Sequence, residues 1–422
     1  MRFDTLSQWL EWQENLHFTE VDPGLARIGH VWQKMAGNTK LPYTVITIAG
    51  TNGKGSSVAL LESILRAAGY RTGTYTSPHL LSYNERICID NIPCDDDTIC
   101  AAFNRIDNAR ANTSLTYFEF ATLAAVDIFE QQKIDIAILE VGMGGRLDAV
   151  NLFDCDIALI TPIGLDHTVW LGENREKIAF EKAGILRAAS PVVCSESSPP
   201  QSIIEHAQSI KSPLYQAQKH YHAVEIENGW HWSNDVNDWQ DLPSPALLGS
   251  YQIQNAAAVL QVVSLLHQQD FIISEQAIRT GLTKVQLSGR FQRLLGGVER
   301  IFDVTHNHLG AKNLAKLLAE IPCKGRTLAV LAILKDKDIT AVTSALGQSI
   351  DSWYVAGLES ERGISGDALA SQISDVLENS DVKPHITVVD AYQHAMKDAQ
   401  IGDRILIFGS FLTVEAVMKH IE

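Results

Sequence analysis

The chain reads as an α/β protein of two lobes, each built on a mostly parallel sheet, the first larger than the second. Three observations predict this. Short β-branched apolar runs alternate with helical patterns, which is the signature of βαβ units. The alternation breaks over a polar stretch at 211–245 and restarts after Gly289-Arg290-Phe291. The length of 422 residues accommodates two or three cores at about 150 residues each.

The elements follow in order. Tyr43 to Ala49 is a β-branched apolar run and the first strand. From Ser56 to Ala68 the residues Leu60, Leu61, Ile64, Leu65 and Ala68 keep the helical period, and Gly69 stops it. Further strands are expected at Arg71–Tyr75, Ile134–Glu140, Asp156–Thr161 and Pro191–Cys194, with a helix at Tyr117–Gln132. The stretch from Lys211 to Pro245, with Trp230, Trp232 and Trp239, reads as a hairpin or irregular excursion, and a helix resumes at Gln252–His267. The second lobe is expected to place strands at Arg300–Val304, Thr327–Ile333, Ser352–Ala356, Ile386–Val389 and Arg404–Phe408. The domains are therefore 1–288 and 295–422, with a cleft between lobes as the usual place for ligands.

Against 34 basic residues stand 50 acidic ones, a net charge of −16. That field repels nucleic-acid backbones and anionic membranes, so neither is an expected partner. No run approaches the roughly 18 apolar residues of a membrane span, and Met1-Arg2-Phe3-Asp4 opens no signal-peptide region, so the expected location is the cytoplasm. The six cysteines contain no CxxC pair and read as reduced thiols.

Between the first strand and its helix lies Gly50-Thr51-Asn52-Gly53-Lys54-Gly55-Ser56-Ser57. Glycines let backbone N–H groups reach phosphate oxygens, Lys54 adds charge, and the helix N-terminus adds its dipole. The spacing departs from GxxxxGK[ST], so this is a shortened phosphate loop. Glu140 closes a strand ahead of Val141-Gly142-Met143-Gly144-Gly145-Arg146, at the end where parallel sheets meet ligands, and suits Mg²⁺. Asp166-His167-Thr168 and Ser77-Pro78-His79 follow other strands; taken alone they are a structural histidine and a turn. In the second lobe Asp303 could meet a ribose or base and His306 a phosphate, although Asn307 also reads as a helix cap. Lys335-Asp336-Lys337-Asp338 alone is a solvated turn.

In order, GTNGKGS at Gly50, SPH at Ser77, LTYFE at Leu115, LEVGMGGRLDAVN at Leu139, LDHT at Leu165, EKAGI at Glu181, GR at Gly289, DVTHN at Asp303, KDKD at Lys335 and GSF at Gly409 resemble the folylpolyglutamate synthase family, in its bacterial bifunctional branch. The match spans nearly the whole chain, and more broadly it resembles the Mur ligases. The resemblance implies a Mur-ligase-like ATPase domain with a variant P-loop, followed by a Rossmann-like domain that closes over ATP and binds glutamate. It implies an ATP-dependent ligase joining L-glutamate to dihydropteroate and to reduced folates through an acyl phosphate.

Carried over by position, the resemblance assigns Thr51, Asn52, Gly53, Lys54, Gly55 and Ser56 to the ATP phosphates, and Asn255, Arg290, Asp303 and His306 to ATP. Ser77, Glu140 and His167 would ligate Mg²⁺, with two such sites and room for a monovalent cation. Lys54, His167 and Lys182 are the catalytic set, and Lys182 matches a position that is carbamylated; a bare reading makes it a helix-surface lysine. Asp22, Pro23, Gly24 and Leu25, then Thr116, Tyr117, Phe118 and Glu119, then Arg146, Leu147, Asp148 and Ala149 match pterin-binding parts. The resemblance also implies a monomer. His308, Val304-Thr305 and Ser288 depart from the family pattern without removing a ligand.

Two other readings remain open at this point. A P-loop ATPase switch would need no second pocket for a pterin. A Mur-type amino-acid ligase would carry a further substrate domain ahead of the strand at Tyr43.

Overall fold

The computed structural model describes residues 1–19, 21–36, 40–321, 323–378 and 380–421. They divide into two compact units: residues 1–79, 83–246 and 252–285 form one, and residues 80–82, 247–251 and 286–422 form the other.

The strands of the first unit are β1 (Thr44–Ala49), β2 (Thr72–Tyr75), β3 (Ile87–Ile89), β4 (Ile92–Pro93), β5 (Ile136–Glu140), β6 (Ile157–Ile160), β7 (Val192–Cys194) and β8 (Leu214–Gln216). They form one sheet in the order β4-β3-β2-β5-β1-β6-β7-β8. From β2 to β8 the pairing is parallel, while β3 and β4 add antiparallel at one edge. The central strands are buried on both faces, which is why they read as continuous apolar runs. Register sets the site. Ile48 pairs Glu140, Ala49 pairs Ile160 and Tyr75 pairs Leu139, so β1, β2, β5 and β6 end along one edge.

The helices of this unit are α1 (Leu6–Glu14), α2 (Ala26–Met35), α3 (Lys54–Ala67), α4 (Asp96–Arg110), α5 (Tyr117–Gln132), α6 (Thr168–Leu171), α7 (Arg175–Ala183), α8 (Gln201–Ser209), α9 (Ser250–His267, from Gln252 onward) and α10 (Glu275–Lys284). In α5, Thr116 and Glu119 form a reciprocal capping box that fixes where the helix starts. The aromatic rings of Trp9, Phe103 and Phe120 pack α1, α4 and α5 together, Phe103 edge to face with Phe120 and Trp9 tilted against both.

The excursion at 211–245 resolves into β8 on the main sheet and a separate antiparallel sheet of β9 (Tyr221–Ile226), β10 (Gly229–Asn234) and β11 (Asp238–Leu242). Its core is Trp232 stacked on Trp239 with centroids 4.7 Å apart, and the Trp232 indole donates to the Ala257 carbonyl at 2.9 Å.

The second unit orders β12 (Gln292–Leu294), β13 (Glu299–Asp303), β14 (Thr327–Leu331), β15 (Ser352–Ala356), β16 (Asp381–His385) and β17 (Arg404–Phe408) as β12-β13-β17-β14-β15-β16. All pair in parallel except the β12–β13 hairpin, which draws the start of this unit back to Gln286, ahead of the expected 295. Its helices are α11 (His308–Glu320), α12 (Ile339–Leu346), α13 (Gly366–Val376), α14 (Val388–Asp398) and α15 (Phe411–Ile421).

The strand expected at Ile386–Val389 is a correction. Thr387 accepts a hydrogen bond from the Asp390 N–H and caps α14, whose Val388 faces the core. The real edge strand is the polar Asp381–His385, where Pro384 is tolerated because an edge strand leaves one side of its ladder unpaired. All six cysteines are free thiols, and no helix is long and apolar enough to cross a membrane, among the described residues.

Candidate active site

The turn after β1 is shaped by close approach. Gly50 lies against Thr161, where a Cβ would stand 1.8 Å from the hydroxyl oxygen, and Gly53 holds a φ of +90° with the Asn255 amide 2.6 Å from any Cβ. Only glycine fits both places. The Thr51 and Asn52 amides donate to the Pro162 carbonyl at 3.0 and 3.3 Å, and the Thr51 hydroxyl bonds both Gly164 N and Gly164 O at 3.1 Å. Thr51 and Asn52 therefore fasten the loop to the end of β6.

The anion cradle lies one step on. Gly53 precedes α3 without a side-chain cap, and the first helical bond runs from Ser57 N to Gly53 O, leaving the Lys54, Gly55 and Ser56 amides at the helix start. Ser56 is braced from α9: Gln252 Nε2 donates to its Oγ at 3.3 Å, and Asn255 Nδ2 donates to Gln252 Oε1 at 2.9 Å.

Two lysines share this loop. Lys54 Nζ donates to the carbonyls of Gly50 and Thr51 at 3.2 and 3.4 Å, and Lys182 Nζ donates to the same Gly50 carbonyl at 2.8 Å. Lys182 is 4% exposed, which overturns its reading as a surface lysine. Burial above all, and then the Lys54 charge, pull its pKa from 10.5 down to about 7.

Glu140 is buried at the end of β5, and its carboxylate accepts the Ser77 N–H at 3.3 Å. His167 precedes α6 with a φ of +50°, and its amide donates to the Asp166 carboxylate at 2.8 Å. Glu140 and Ser77 are hard oxygen donors on one strand edge, a set that suits Mg²⁺. No three His, Cys, Asp or Glu side chains form a metal cage by themselves, among the described residues. Such a site would be completed by phosphate oxygens and water, as Mg²⁺ sites ordinarily are.

The three segments expected to hold a pterin converge. Gly24 N donates to Leu147 O at 3.2 Å, and Arg27 pairs with both Asp22 and Glu119. The Asp148 carboxylate accepts the Met143 and Val150 amides at 2.9 and 3.0 Å and so organises the loop; burial pushes its pKa up to about 6 against those bonds. The glycines beside it permit contact: a Cβ on Gly142 would lie 2.7 Å from the Phe118 ring, and one on Gly145 would lie 2.8 Å from Glu181 O. Arg146 lies half exposed, paired to Glu181 with its guanidinium 5.8 Å from the Phe180 ring.

In the second unit, Asp303 is buried and accepts Phe291 N and Thr305 N, both at 2.9 Å, so it pins the turn that carries Arg290. Arg290 lies 5.9 Å from the Phe411 ring. His306 Nδ1–H donates to the Val304 carbonyl at 2.9 Å, which fixes its tautomer.

Residues 48–263 match the Mur ligase middle domain, and residues 289–411 match the Mur ligase glutamate ligase domain. The chain is 40% identical, over 99% of its length and 96% of the relative's, to the dihydrofolate synthase/folylpolyglutamate synthase of Escherichia coli (strain K12). The chain belongs to the dihydrofolate synthase/folylpolyglutamate synthase family. The Haemophilus influenzae member is 41% identical, with 99% and 98% of the two chains covered. E. coli FolC in complex with DHPP and ADP matches at a TM-score of 0.92 and 40% identity, covering 99% of this chain and 98% of that one. A bifunctional folylpolyglutamate synthase/dihydrofolate synthase with Mn, AMPPNP and L-glutamate bound matches at 0.89 and 40%, covering 99% and 98%.

Two residues that touch the candidate site, Gln252 and Arg27, were not singled out from sequence. Gln252 stands one helical turn before Asn255, a spacing that places both on one face. Arg27 lies two residues after the Asp22–Leu25 segment, but its bond to Glu119 spans 92 positions and leaves no local trace.

Proposed function

We infer that this chain is an ATP-dependent carboxylate–amine ligase that adds L-glutamate to dihydropteroate and to reduced folates. The observation that carries this is the alignment of the Lys54 loop, Ser77 and Glu140 at one edge of the sheet, beside the converging segments at Asp22–Leu25, Thr116–Glu119 and Arg146–Ala149 that an ATPase switch would not require.

The chemistry follows from the site. A carboxylate oxygen of the pterin substrate attacks the γ-phosphorus of ATP, ADP leaves, and an acyl phosphate forms. The amine of glutamate attacks the acyl carbon, phosphate leaves, and the amide forms with loss of a proton. Charge gathers on the transferring phosphoryl oxygens, so fixed positive charge and aligned N–H groups have most effect there. The Lys54, Gly55 and Ser56 amides hold those oxygens, Thr51 and Asn52 keep the loop in shape, and Lys54 exchanges its loop carbonyls for phosphate. Mg²⁺ held by Ser77, Glu140 and His167 would supply further positive charge, in two sites, with a monovalent cation as a third ion. Asn255 backs the loop at Gly53, and Arg290, Asp303 and His306 are assigned to ATP. Asp22–Leu25, Thr116–Glu119 and Arg146–Ala149 are assigned to the pterin.

Lys182 is assigned to carbamylation. An amine with a pKa of about 7 is largely uncharged at mildly alkaline pH, so its lone pair can attack CO₂, forming an N–C bond and releasing a proton. The product carries a carboxylate-like charge next to Lys54. The remaining assignments are a monomer in the cytoplasm.

The test is ADP release from MgATP and glutamate, with dihydropteroate or tetrahydrofolate added in separate reactions. Stimulation by each pterin, dependent on glutamate, is expected. Equal ATP hydrolysis without pterin or glutamate would sink the ligase reading in favour of a switch.

A further inference from the structure

The stretch Pro162-Ile163-Gly164, just after β6, is a strap held from two sides. On one side it carries the phosphate loop: the Thr51 and Asn52 amides donate to the Pro162 carbonyl, and the Thr51 hydroxyl bonds both backbone groups of Gly164. On the other side stand Arg175, the first residue of α7, and Glu196, two residues past β7. One Glu196 oxygen accepts the Ile163 N–H at 2.6 Å, and Arg175 Nε donates to the Ile163 carbonyl at 3.0 Å. The other Glu196 oxygen pairs with the Arg175 guanidinium, so the two side chains close a ring around Ile163.

Ile163 is buried, so its N–H and C=O need partners inside the protein. An ion pair whose arginine is half exposed contributes little to stability by its charge alone; what these two charges do is fasten backbone. The pair of Arg105 and Asp127 is similarly exposed, yet it joins α4 to α5 side chain to side chain.

Helix α7 reaches the same loop from its other end, where Lys182 donates to the Gly50 carbonyl at 2.8 Å. The loop is thus tied to α7 twice, directly at Gly50 and through Ile163 at Thr51 and Asn52. Without Arg175 the buried Ile163 carbonyl loses a charged donor, and the strap has to shift to satisfy it. Thr51 and Asn52 shift with it, and so does the helix start at Lys54 that presents its amides to an anion.

We propose that Arg175 and Glu196 are positioning residues for the phosphate loop, which set its affinity for a nucleoside diphosphate or triphosphate through the strap at 162–164. The proposal rests on the assignment of that loop to ATP in the ligase reading above. Neither side chain belongs to the loop; both act through Ile163.

The test titrates MgADP calorimetrically into the full chain, a readout that needs no turnover. It compares the parent with Arg175→Ala, Arg175→Lys and Glu196→Gln, and uses Arg105→Ala as the control for losing a half-exposed ion pair. The Kd for MgADP is expected to rise at least about tenfold in Arg175→Ala, the size of a lost hydrogen bond to a charged group. The rise should be smaller in Arg175→Lys, which keeps a charge beside Glu196, and in Glu196→Gln, which keeps an oxygen for the Ile163 N–H. Arg105→Ala should bind MgADP as the parent does. In turnover, KM for ATP should rise with the Kd while KM for dihydropteroate stays within about twofold. An unchanged Kd in Arg175→Ala, an equal rise in both KM values, or the same loss of affinity in Arg105→Ala overturns the proposal. If the parent binds MgADP but releases no ADP in a glutamate-dependent way, the ligase reading fails while the calorimetric comparison still decides Arg175 and Glu196. A parent that binds no MgADP refutes both.

Discussion

Replacing Lys182 with methionine removes a buried ammonium and keeps the volume of its stem. Burial and the Lys54 charge lower the Lys182 pKa from 10.5 to about 7, which at about 1.4 kcal/mol per pH unit makes the charged form roughly 5 kcal/mol less favourable in the fold than in water. That difference is net of the bond from Nζ to Gly50 O, so burial leaves a cost of a few kcal/mol on the charged form. Because the folded pKa is the lower one, the unfolded chain binds more protons between about 7 and 10.5, and stability rises with pH across that window. Below about 7 both states are protonated and the whole cost is present. Lys182→Met should therefore be more stable than the parent at pH 6.5, by a few kcal/mol. The gap should close as pH approaches 10, where the parent's lysine is uncharged in the fold. Urea unfolding in CO₂-free buffer, followed by tryptophan fluorescence at pH 6.5, 8 and 10, measures this. A variant less stable than the parent at pH 6.5, or a gap independent of pH, would refute the reasoning.

Two further outcomes are expected. Glu140→Gln keeps an oxygen to accept the Ser77 N–H but loses the charge for a divalent ion, so turnover should drop at least about a hundredfold with an unchanged melting temperature; near-normal turnover at saturating Mg²⁺ would count against the metal role. Gly281→Ala gains about 1 kcal/mol in helix propensity, yet its Cβ would lie 2.5 Å from the Ile64 Cα where α10 crosses α3, so the denaturation midpoint should fall by an amount equivalent to about 1–3 kcal/mol; a rise would mean the helices separate freely.

Much of the site was legible in the sequence because its chemistry is local. The phosphate loop, Glu140 and the strand that presents it are contiguous runs whose glycines and charges stand out against β-branched neighbours. Lys182 was misread as a surface lysine because lysine usually stays in water; its place one turn after the buried Ile178, in a stripe with Ala179 and Ala183, is the signal that could have found its inward face. The edge strand at Asp381–His385 was not legible, since exposed residues, a lysine and a proline carry no alternation, while the apolar Ile386–Val389 belongs to a capped helix start. Asp303 reads from sequence as a ligand for ATP, and the structure adds that its two oxygens fasten backbone amides of the turn that holds Arg290.

The central claim is that the pterin carboxylate is activated by phosphorylation, and isotope transfer tests it most directly. With ¹⁸O in both carboxylate oxygens of dihydropteroate, turnover with MgATP and glutamate should give inorganic phosphate carrying one labelled oxygen for each amide formed, read by ³¹P NMR. Amide formed alongside unlabelled phosphate would contradict the account.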